Sequence, residues 1–270
     1  MNVPLDSDGK ITDDHRIQAS LPTIKLAMEK GAAIIISSHL GQPKGKVVES
    51  LSLSPIATRL GELLNCKVNL APDCVSDATQ ALAKALNPGE VLLLENTRFH
   101  DAETKNDPEF SKQLASLAEV YINDAFASDH RAHASTCGIA SFIDERAAGL
   151  TLQTEMDFFA KALSNPVPPL AAIFGGAKVS TKMKAIRNVA KKADLIVVGG
   201  AMANTFFVAQ GHNVGKSLYE PEQVEEAKEA IAILKENNCK LVLPVDVVVA
   251  DKLAADATTS IVAIDSIDVM

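Results

Sequence analysis

Short apolar segments that alternate with segments of helical length are the feature that most restricts how this chain can fold. In the first half, the apolar segments lie at residues 33–37, 67–70, 90–94 and 119–123. In the second half, they lie at residues 170–174, 194–198, 240–243 and 259–264. Strands that alternate with helices in this way predict crossover connections and parallel sheets covered by helices on both faces. We therefore expect an α/β protein with two Rossmann-like domains.

Capping residues and prolines indicate where the helices begin. Ser76 precedes a helical apolar pattern and is a predicted N-cap residue. Proline fits the first turn of a helix because the amide hydrogen it lacks has no partner there. Pro22 and Pro221 therefore predict helices over residues 21–30 and 220–237.

A stretch rich in helix breakers predicts the boundary between the two domains. Residues 151–163 have the spacing of an amphipathic helix, and residues 164–169 follow with the sequence SNPVPP. We expect a first domain over residues 1–150, an interdomain helix and linker over residues 151–169, and a second domain over residues 170–270.

Charge and composition exclude several classes of protein. A net charge of −8 argues against general nucleic-acid binding, and we expect neither a nucleic-acid nor a membrane partner. The start of the chain lacks the pattern of a signal peptide, and no apolar run has the length of a membrane span. The four cysteines form no CxxC pair, so we expect reduced thiols in a cytoplasmic protein and no zinc site.

Basic and imidazole side chains follow three predicted strands of the first half. His39 lies in the sequence SSHLGQPKG, Arg98 follows the strand at residues 90–94, and Arg131 stands beside His130. Ligands of open parallel sheets bind at the carboxyl ends of the strands. These residues therefore predict a cleft for a small, highly anionic substrate, although ordinary surface arginines would give the same pattern.

Two glycine pairs follow predicted strands in the second half. Gly175 and Gly176 precede Lys178 and Lys182, and the second pair is Gly199-Gly200. Glycine lets a phosphate approach the backbone at a helix N-terminus, although the pairs are equally consistent with close packing of helix on sheet. We expect the two lysines to lie four residues apart on one face of the following helix, where a solvated helix face is the alternative. The Walker A, protein-kinase and GxGxxG signatures are absent.

A series of motifs, in order along the whole chain, resembles phosphoglycerate kinase. The motifs are NVPL from residue 2, ITDDHRI from residue 11, SHLGQPKG from residue 38, LENTRF from residue 94, NDAF from residue 123, HRAHAST from residue 130, GGAKVSTK from residue 175, GGAMANTF from residue 199 and GKSL from residue 215. Their joint order is far more specific than any one of them.

The resemblance implies transfer of the acyl phosphate of 1,3-bisphosphoglycerate to ADP, which gives 3-phosphoglycerate and ATP in glycolysis, with Mg²⁺. It implies that the first domain holds the glycerate, that the second holds the nucleotide, and that the protein is a monomer. By motif, the implied substrate-binding residues are Asn2, Arg16, His39, Gln42, Arg98 and Arg131. The implied catalytic residues are Arg16, Lys178 and Lys182, and the nucleotide side is lined by Gly175, Gly176, Lys182, Gly199 and Gly200.

The sequence departs from the family pattern at both ends and at two internal positions. The family's first strand, with an aspartate that binds substrate, would precede Asn2, and its later glycine-rich elements and metal-nucleotide aspartate would follow Met270. Gln42 replaces an arginine, and Ala201 replaces the third glycine of a turn. On this interpretation we expect a truncated chain of very low activity, with the anchor for the metal-nucleotide in the part that is missing.

Two other functions are consistent with the same residues. The chain could be a non-catalytic module that keeps the glycerate cleft and binds anions without turnover. It could also be a generic nucleotide-binding domain, whose binding of ATP would survive substitution of Arg16 and Arg98.

Overall fold

The structure, a computed structural model, describes residues 1–164, 166–252 and 254–269. It divides into two compact units, Met1–Asp157 and Phe158–Met270. The division falls within the segment that the sequence predicts as the interdomain helix, and that segment is α-helical over Leu150–Phe159 and π-helical over Ala160–Ser164.

The first unit contains two parallel sheets and five α-helices besides the one at the division. The helices are α1 His15–Glu29, α2 Ser54–Leu64, α3 Asp77–Lys84, α4 Asp101–Thr104 and α5 Pro108–Ala115, and α6 is Leu150–Phe159. The strands are β1 Ile34–Ile36, β2 Val68–Leu70, β3 Val91–Leu93, β4 Val120–Asn123 and β5 Glu145–Ala148. One sheet has the order β1-β3-β2, and the other pairs β4 with β5. The predicted parallel α/β architecture is thus confirmed in this unit.

Alternate side chains of β3 point into two different cores. Leu93 is buried in a cluster with Ile17 of α1 and with Ile56 and Leu60 of α2. Leu92 is buried on the other face, in a cluster that includes Phe110 of α5. Because successive side chains of a strand face opposite sides, helices cover both faces of this sheet.

The second unit also alternates strands with helices, and its described buried residues form one core. Its helices are α7 Met183–Val189, α8 Met202–Ala209 and α9 Val224–Glu236. Its strands are β6 Ala171–Phe174, β7 Leu195–Val198, β8 Lys240–Val242, β9 Asp246–Ala250 and β10 Thr259–Ala263. The first three form a parallel sheet in the order β6-β7-β8, and β9 pairs with β10 antiparallel. Ile196, Met202 and Phe206 are among its buried residues.

Two predicted helix starts are wrong. The first helix begins at His15 rather than at residue 21, so that Pro22 lies inside it. The carboxylate of Asp13 accepts the amide of His15, and the earlier start buries Ile17 completely, which outweighs the hydrogen bond that the proline cannot donate. At Pro221 the first turn is a 3₁₀ helix, Pro221–Gln223, and α9 begins only after it. The predicted cap at Ser76 is confirmed, since its hydroxyl accepts the amide of Thr79.

Candidate functional site

The loop after β1 has a backbone that only certain residues adopt readily. Gly41, Lys44 and Gly45 all have positive φ angles, of 61°, 56° and 72°. A Cβ atom on Gly45 would lie 2.7 Å from Cβ of Asp101, and one on Gly41 would lie 2.9 Å from a methyl group of Leu51. The two glycines therefore permit a tight loop that places His39 at its start and Gln42, which is exposed, near its middle.

Asn96, which the sequence motif contains but which we did not identify as a functional residue, joins this loop to the segment after β3. Its side chain is fully buried, and its amide donates to the carbonyls of Leu40 (2.8 Å) and Leu51 (2.9 Å). Its Oδ1 accepts the amides of Leu40 and Arg98. An asparagine can satisfy donors and acceptors of two loops at once, so Asn96 fixes the position of Arg98.

Arg98 is the buried cation of the first unit. Only 7% of the residue is exposed, and its Nη1 donates to the carbonyl of Gly41 at 3.0 Å. Its Nε is buried without a hydrogen-bond partner among the described residues. Burial and the nearby Arg131 lower the pKa of the guanidinium, whereas Glu103 acts in the opposite direction. A buried cation with an unused donor, close to a second cation, is a site that an anion would stabilise.

His39 is held neutral next to these arginines. Burial, together with the charges of Arg98 and of the N-terminal ammonium group, lowers the pKa of the imidazole to about 3, with smaller effects of His133 and Arg131. The pKa of His133, which is also buried, is lowered mainly by its burial. A neutral imidazole donates one hydrogen bond and accepts another without adding charge, so these residues fit a positioning role better than that of a proton carrier at neutral pH.

Asn2 and Arg16 are linked by hydrogen bonds to the loop that contains His39 and Gly41. Nη1 of Arg16 donates to the carbonyl of Asn2 at 2.6 Å, and the side-chain amide of Asn2 lies 3.4 Å from Nε2 of His39. Oδ1 of Asn2 also accepts the amide of Gly41. The structure therefore brings together Asn2, Arg16, His39 and Arg98 through contacts, and Arg131 interacts with His39 and Arg98 through its charge.

Glu103 is a second residue that we did not identify from the sequence. It is 2% exposed, and its carboxylate accepts the amide (2.9 Å) and the hydroxyl (2.6 Å) of Ser135. Ser135 belongs to the HRAHAST segment, so Glu103 anchors the loop that contains Arg131 and His133. No feature of the sequence distinguishes this glutamate from an exposed one on a short helix.

The two glycine turns of the second unit contact each other. The carbonyl of Gly176 accepts the amide of Met202 at 2.9 Å, and Gly200 has a φ of 67°. A Cβ atom on Gly200 would lie 3.0 Å from the carbonyl oxygen of Gly176. Gly175 and Gly176 are exposed, so the turns combine close backbone packing with backbone that a ligand could reach.

The predicted helical placement of Lys178 and Lys182 is wrong. Helix α7 begins at Met183, Lys178 lies in the loop before it, and Lys182 is its N-cap residue. The loop is held instead by Glu220, whose carboxylate accepts the amide (3.0 Å) and the hydroxyl (2.6 Å) of Ser180. These hydrogen bonds, and the nearby charge of Lys178, lower the pKa of Glu220. Both lysines are exposed, and they extend from a loop rather than from one helical face.

Ala201 adopts a backbone that any residue tolerates. Its φ is −62° and its ψ is −19°, and it is the N-cap residue of α8. The alanine that stands here in place of a glycine therefore causes no backbone strain.

Within the described residues, no helix combines the length and the apolar character that crossing a membrane requires.

Comparison with known proteins places the whole chain in one group. The sequence model of the family described as phosphoglycerate kinase matches residues 1–270. The chain is 53% identical over 262 residues to the cytosolic phosphoglycerate kinase of Triticum aestivum, covering 97% of this chain and 65% of that protein. It is 50% identical over 267 residues to the phosphoglycerate kinase of Chloroherpeton thalassium, covering 99% and 67%. The chain thus spans about two thirds of the length of the curated relatives it matches.

Solved structures give the same result. The phosphoglycerate kinase structure from Coxiella burnetii superposes with a TM-score of 0.85 at 43% identity, covering 98% of this chain and 67% of that one. The structure from Pyrococcus horikoshii superposes with a TM-score of 0.76 at 32% identity, covering 96% and 65%.

Proposed function

Because the chain belongs to the phosphoglycerate kinase family, we propose that it acts in the reversible transfer of the acyl phosphate of 1,3-bisphosphoglycerate to ADP, giving 3-phosphoglycerate and ATP in glycolysis. The observation that supports this most directly is Arg98. Its guanidinium is buried, its Nε has no partner among the described residues, and the nearby charge of Arg131 opposes it, with Glu103 acting in the other direction. A phosphorylated carboxylic acid offers the negative oxygens that this arrangement lacks.

We assign the glycerate to the first unit. Arg98, Arg131 and Arg16 supply cationic donors, and the neutral His39 and Asn2 supply uncharged hydrogen bonds. The forked guanidinium suits carboxylate and phosphate oxygens better than an ammonium group would. Gln42, exposed on the loop after β1, contributes a neutral amide at the edge of this site.

We assign the phosphates of ATP or ADP to the glycine turns of the second unit. Gly175, Gly176, Gly199 and Gly200 provide close backbone approach, and Lys178 and Lys182 extend from the adjoining loop. The residues described around these glycine turns offer Mg²⁺ no free carboxylate ligand. Glu220 is the carboxylate that contacts the loop with Lys178 and Lys182, and both of its oxygens already accept hydrogen bonds from Ser180. We therefore assign no step of the reaction to the metal ion.

The proposed chemistry needs alignment and charge more than it needs a proton carrier. In the reverse direction the nucleophile is a carboxylate of 3-phosphoglycerate, which is already an anion and loses no proton. Cations around the transferred phosphoryl group stabilise the charge on its equatorial oxygens. We propose this role for Arg16, Lys178 and Lys182, which would be the catalytic residues.

Coupled assay and calorimetry together test the proposal. The full chain should consume 3-phosphoglycerate in an ATP-dependent coupled assay and should bind 3-phosphoglycerate in calorimetry. Arg98→Gln should weaken that binding about tenfold or more, because it removes a charged donor. Arg59→Gln is the matched control, since Arg59 is half-exposed and pairs with Asp14 and Glu62.

The outcomes separate the proposed function from its alternatives. Binding of 3-phosphoglycerate without turnover would identify an anion-binding module in place of an enzyme. Binding of ATP alone, unaffected by Arg98→Gln or Arg16→Gln, would identify a nucleotide-binding domain. A folded chain that binds neither ligand would overturn the proposal.

We further propose that the protein is a cytoplasmic monomer without nucleic-acid or membrane partners. The net charge of −8 supports the absence of nucleic-acid binding. The Triticum aestivum relative is named cytosolic, whereas an Arabidopsis thaliana relative is named chloroplastic. Light scattering after size exclusion would test the monomer, and cell fractionation would test the compartment.

A further inference from the structure

We propose that Asp73, Cys74 and His100 form a binding site for a divalent transition metal ion such as Zn²⁺. One ligand atom from each residue, a carboxylate oxygen, the thiol sulfur and an imidazole nitrogen, lies within 4.8 Å of the other two. None of the three belongs to the proposed glycerate or nucleotide site. The proposal therefore stands or fails independently of the proposed function.

The cluster is already arranged as a set of ligands. Nε2 of His100 lies 2.6 Å from Oδ1 of Asp73, which holds both groups in position. The ring of His100 packs against that of Phe110, with centroids 4.9 Å apart, which further restricts its rotation. Sγ of Cys74 lies 3.0 Å from the backbone carbonyl of Glu95. Ligands that are ordered before the ion arrives lose less conformational entropy when they bind it.

The surroundings of Cys74 favour binding of a metal cation, and they disfavour a free thiolate that would react without one. Cys74 is completely buried, whereas the side chains of Asp73 and His100 are about one third exposed and give an ion a path from solvent. Burial raises the pKa of the Cys74 thiol, and the negative charges of Asp73, Glu103 and Glu95 raise it further. That same negative field attracts a dication, whose charge would compensate for removal of the thiol proton.

The types of ligand point to the class of metal. Thiolate, imidazole and carboxylate together suit Zn²⁺ and Co²⁺ and are a poor match for Mg²⁺, which prefers oxygen ligands. Three protein ligands leave the fourth tetrahedral position to water. On binding, the Cys74 thiol would release its proton to solvent, and the proton that Nε2 of His100 donates to Asp73 would move through solvent to Nδ1, which frees Nε2 for the ion.

The sequence did not reveal this cluster because its spacing is not that of a common zinc motif. Asp73 and Cys74 are adjacent after β2, and His100 follows β3, the strand that pairs directly with β2. Only the parallel pairing of those strands brings the three residues to the same edge of the sheet. The expectation of no zinc site considered only cysteines paired in CxxC.

Cobalt titration of the full chain, in a reductant that does not bind metals, tests the proposal. A thiolate-to-cobalt charge-transfer band should appear in the near ultraviolet and saturate at about one Co²⁺ per chain, and Zn²⁺ should abolish it by displacement. Cys74→Ser should remove the band. Cys66→Ser is the matched control, because Cys66 is a second free cysteine outside the cluster, and it should keep the band.

A second variant guards against a folding defect at the buried cysteine. His100→Gln, with its side chain partly exposed, should retain the far-ultraviolet circular dichroism of the wild type and weaken Co²⁺ binding about tenfold or more. Absence of the band in the wild type would overturn the proposal. So would a band, or a cobalt affinity, that neither His100→Gln nor a folded Cys74→Ser changes.

Discussion

His39 is neutral in the folded chain, and this neutrality has a consequence for stability. Its pKa in the folded state is about 3, against an ordinary value near 6.5 for an unfolded histidine. Between these values the unfolded chain binds a proton that the folded chain does not. The contribution of the neutral His39 to the free energy of unfolding is therefore complete above pH 6.5, and it is lost as the pH falls toward 3.

We expect His39→Gln to reduce the pH dependence of the free energy of unfolding. Between pH 6 and pH 4 the wild-type free energy should fall more steeply than that of the variant, by up to about 1.4 kcal/mol per pH unit, which corresponds to one proton. Urea unfolding at several pH values measures both slopes. Above pH 7 the two curves should run parallel, and parallel curves down to pH 4 would show that His39 is protonated in the folded state.

Gln42 is the residue at which the proposed glycerate site departs from the family pattern. It is exposed on the loop after β1, where an arginine would offer a charged fork in place of one neutral amide. Charged hydrogen bonds contribute more than neutral ones, by about 1 kcal/mol. Gln42→Arg should therefore tighten binding of 3-phosphoglycerate about fivefold in calorimetry.

The matched control for this change separates charge from geometry. Gln42→Lys adds the same charge without the fork, and it should improve binding less than Gln42→Arg does. If the two variants bind equally well, the gain comes from general electrostatic attraction. If neither differs from the wild type, Gln42 does not contact the ligand.

At the scale of elements, the periodicity of the sequence predicted most of the strands and the parallel architecture. Short, continuous apolar runs such as the fully buried β3 are typical of strands inside a sheet, because both faces of such a strand are covered. Strand β5, Glu145–Ala148, could not be predicted in this way. It is exposed at all four residues and contains two charged ones, so only its pairing with β4 makes it a strand.

The candidate site was less predictable than the fold, because its geometry depends on contacts between distant residues. The positions of His39 and Arg98 follow from strand ends, which the sequence shows. Asn96 and Glu103 instead act by hydrogen bonds to residues 32 to 56 positions away. The prediction for Lys178 and Lys182 was wrong because the hydrogen bonds of Ser180 to Glu220 hold a loop where a helix was expected, and α7 begins only at Met183. The local sequence does not indicate a partner that lies so far along the chain.

The glycine turns of β6 and β7 permit a test with neighbouring positions. Gly200→Ala should lower the free energy of unfolding by about 1–3 kcal/mol, since it imposes a left-handed backbone on alanine and places Cβ 3.0 Å from the carbonyl of Gly176. Ala201→Gly, one residue later, removes a side chain from an ordinary helical backbone and should cost at most about 1 kcal/mol. Urea midpoints of both variants measure the difference, and equal midpoints would contradict the proposed close approach of the two turns.

For the whole molecule, the distribution of apolar side chains predicts that core substitutions act within one unit. The described core residues form three clusters, two within Met1–Asp157 and one within Phe158–Met270. Leu60 is fully buried in the first unit and Phe206 in the second. Truncating either to alanine removes contacts only from its own cluster, at a cost of about 2–5 kcal/mol.

Hydrogen exchange followed by mass spectrometry measures where that cost falls. Leu60→Ala should accelerate exchange in peptides that contain β3, and Phe206→Ala should accelerate it in peptides that contain β7, because protection reports the local free energy of opening. Each variant is the control for the other. Loss of protection spread evenly over both units in either variant would mean that the two cores unfold as one, and that their separation in the contact pattern is not a separation in stability.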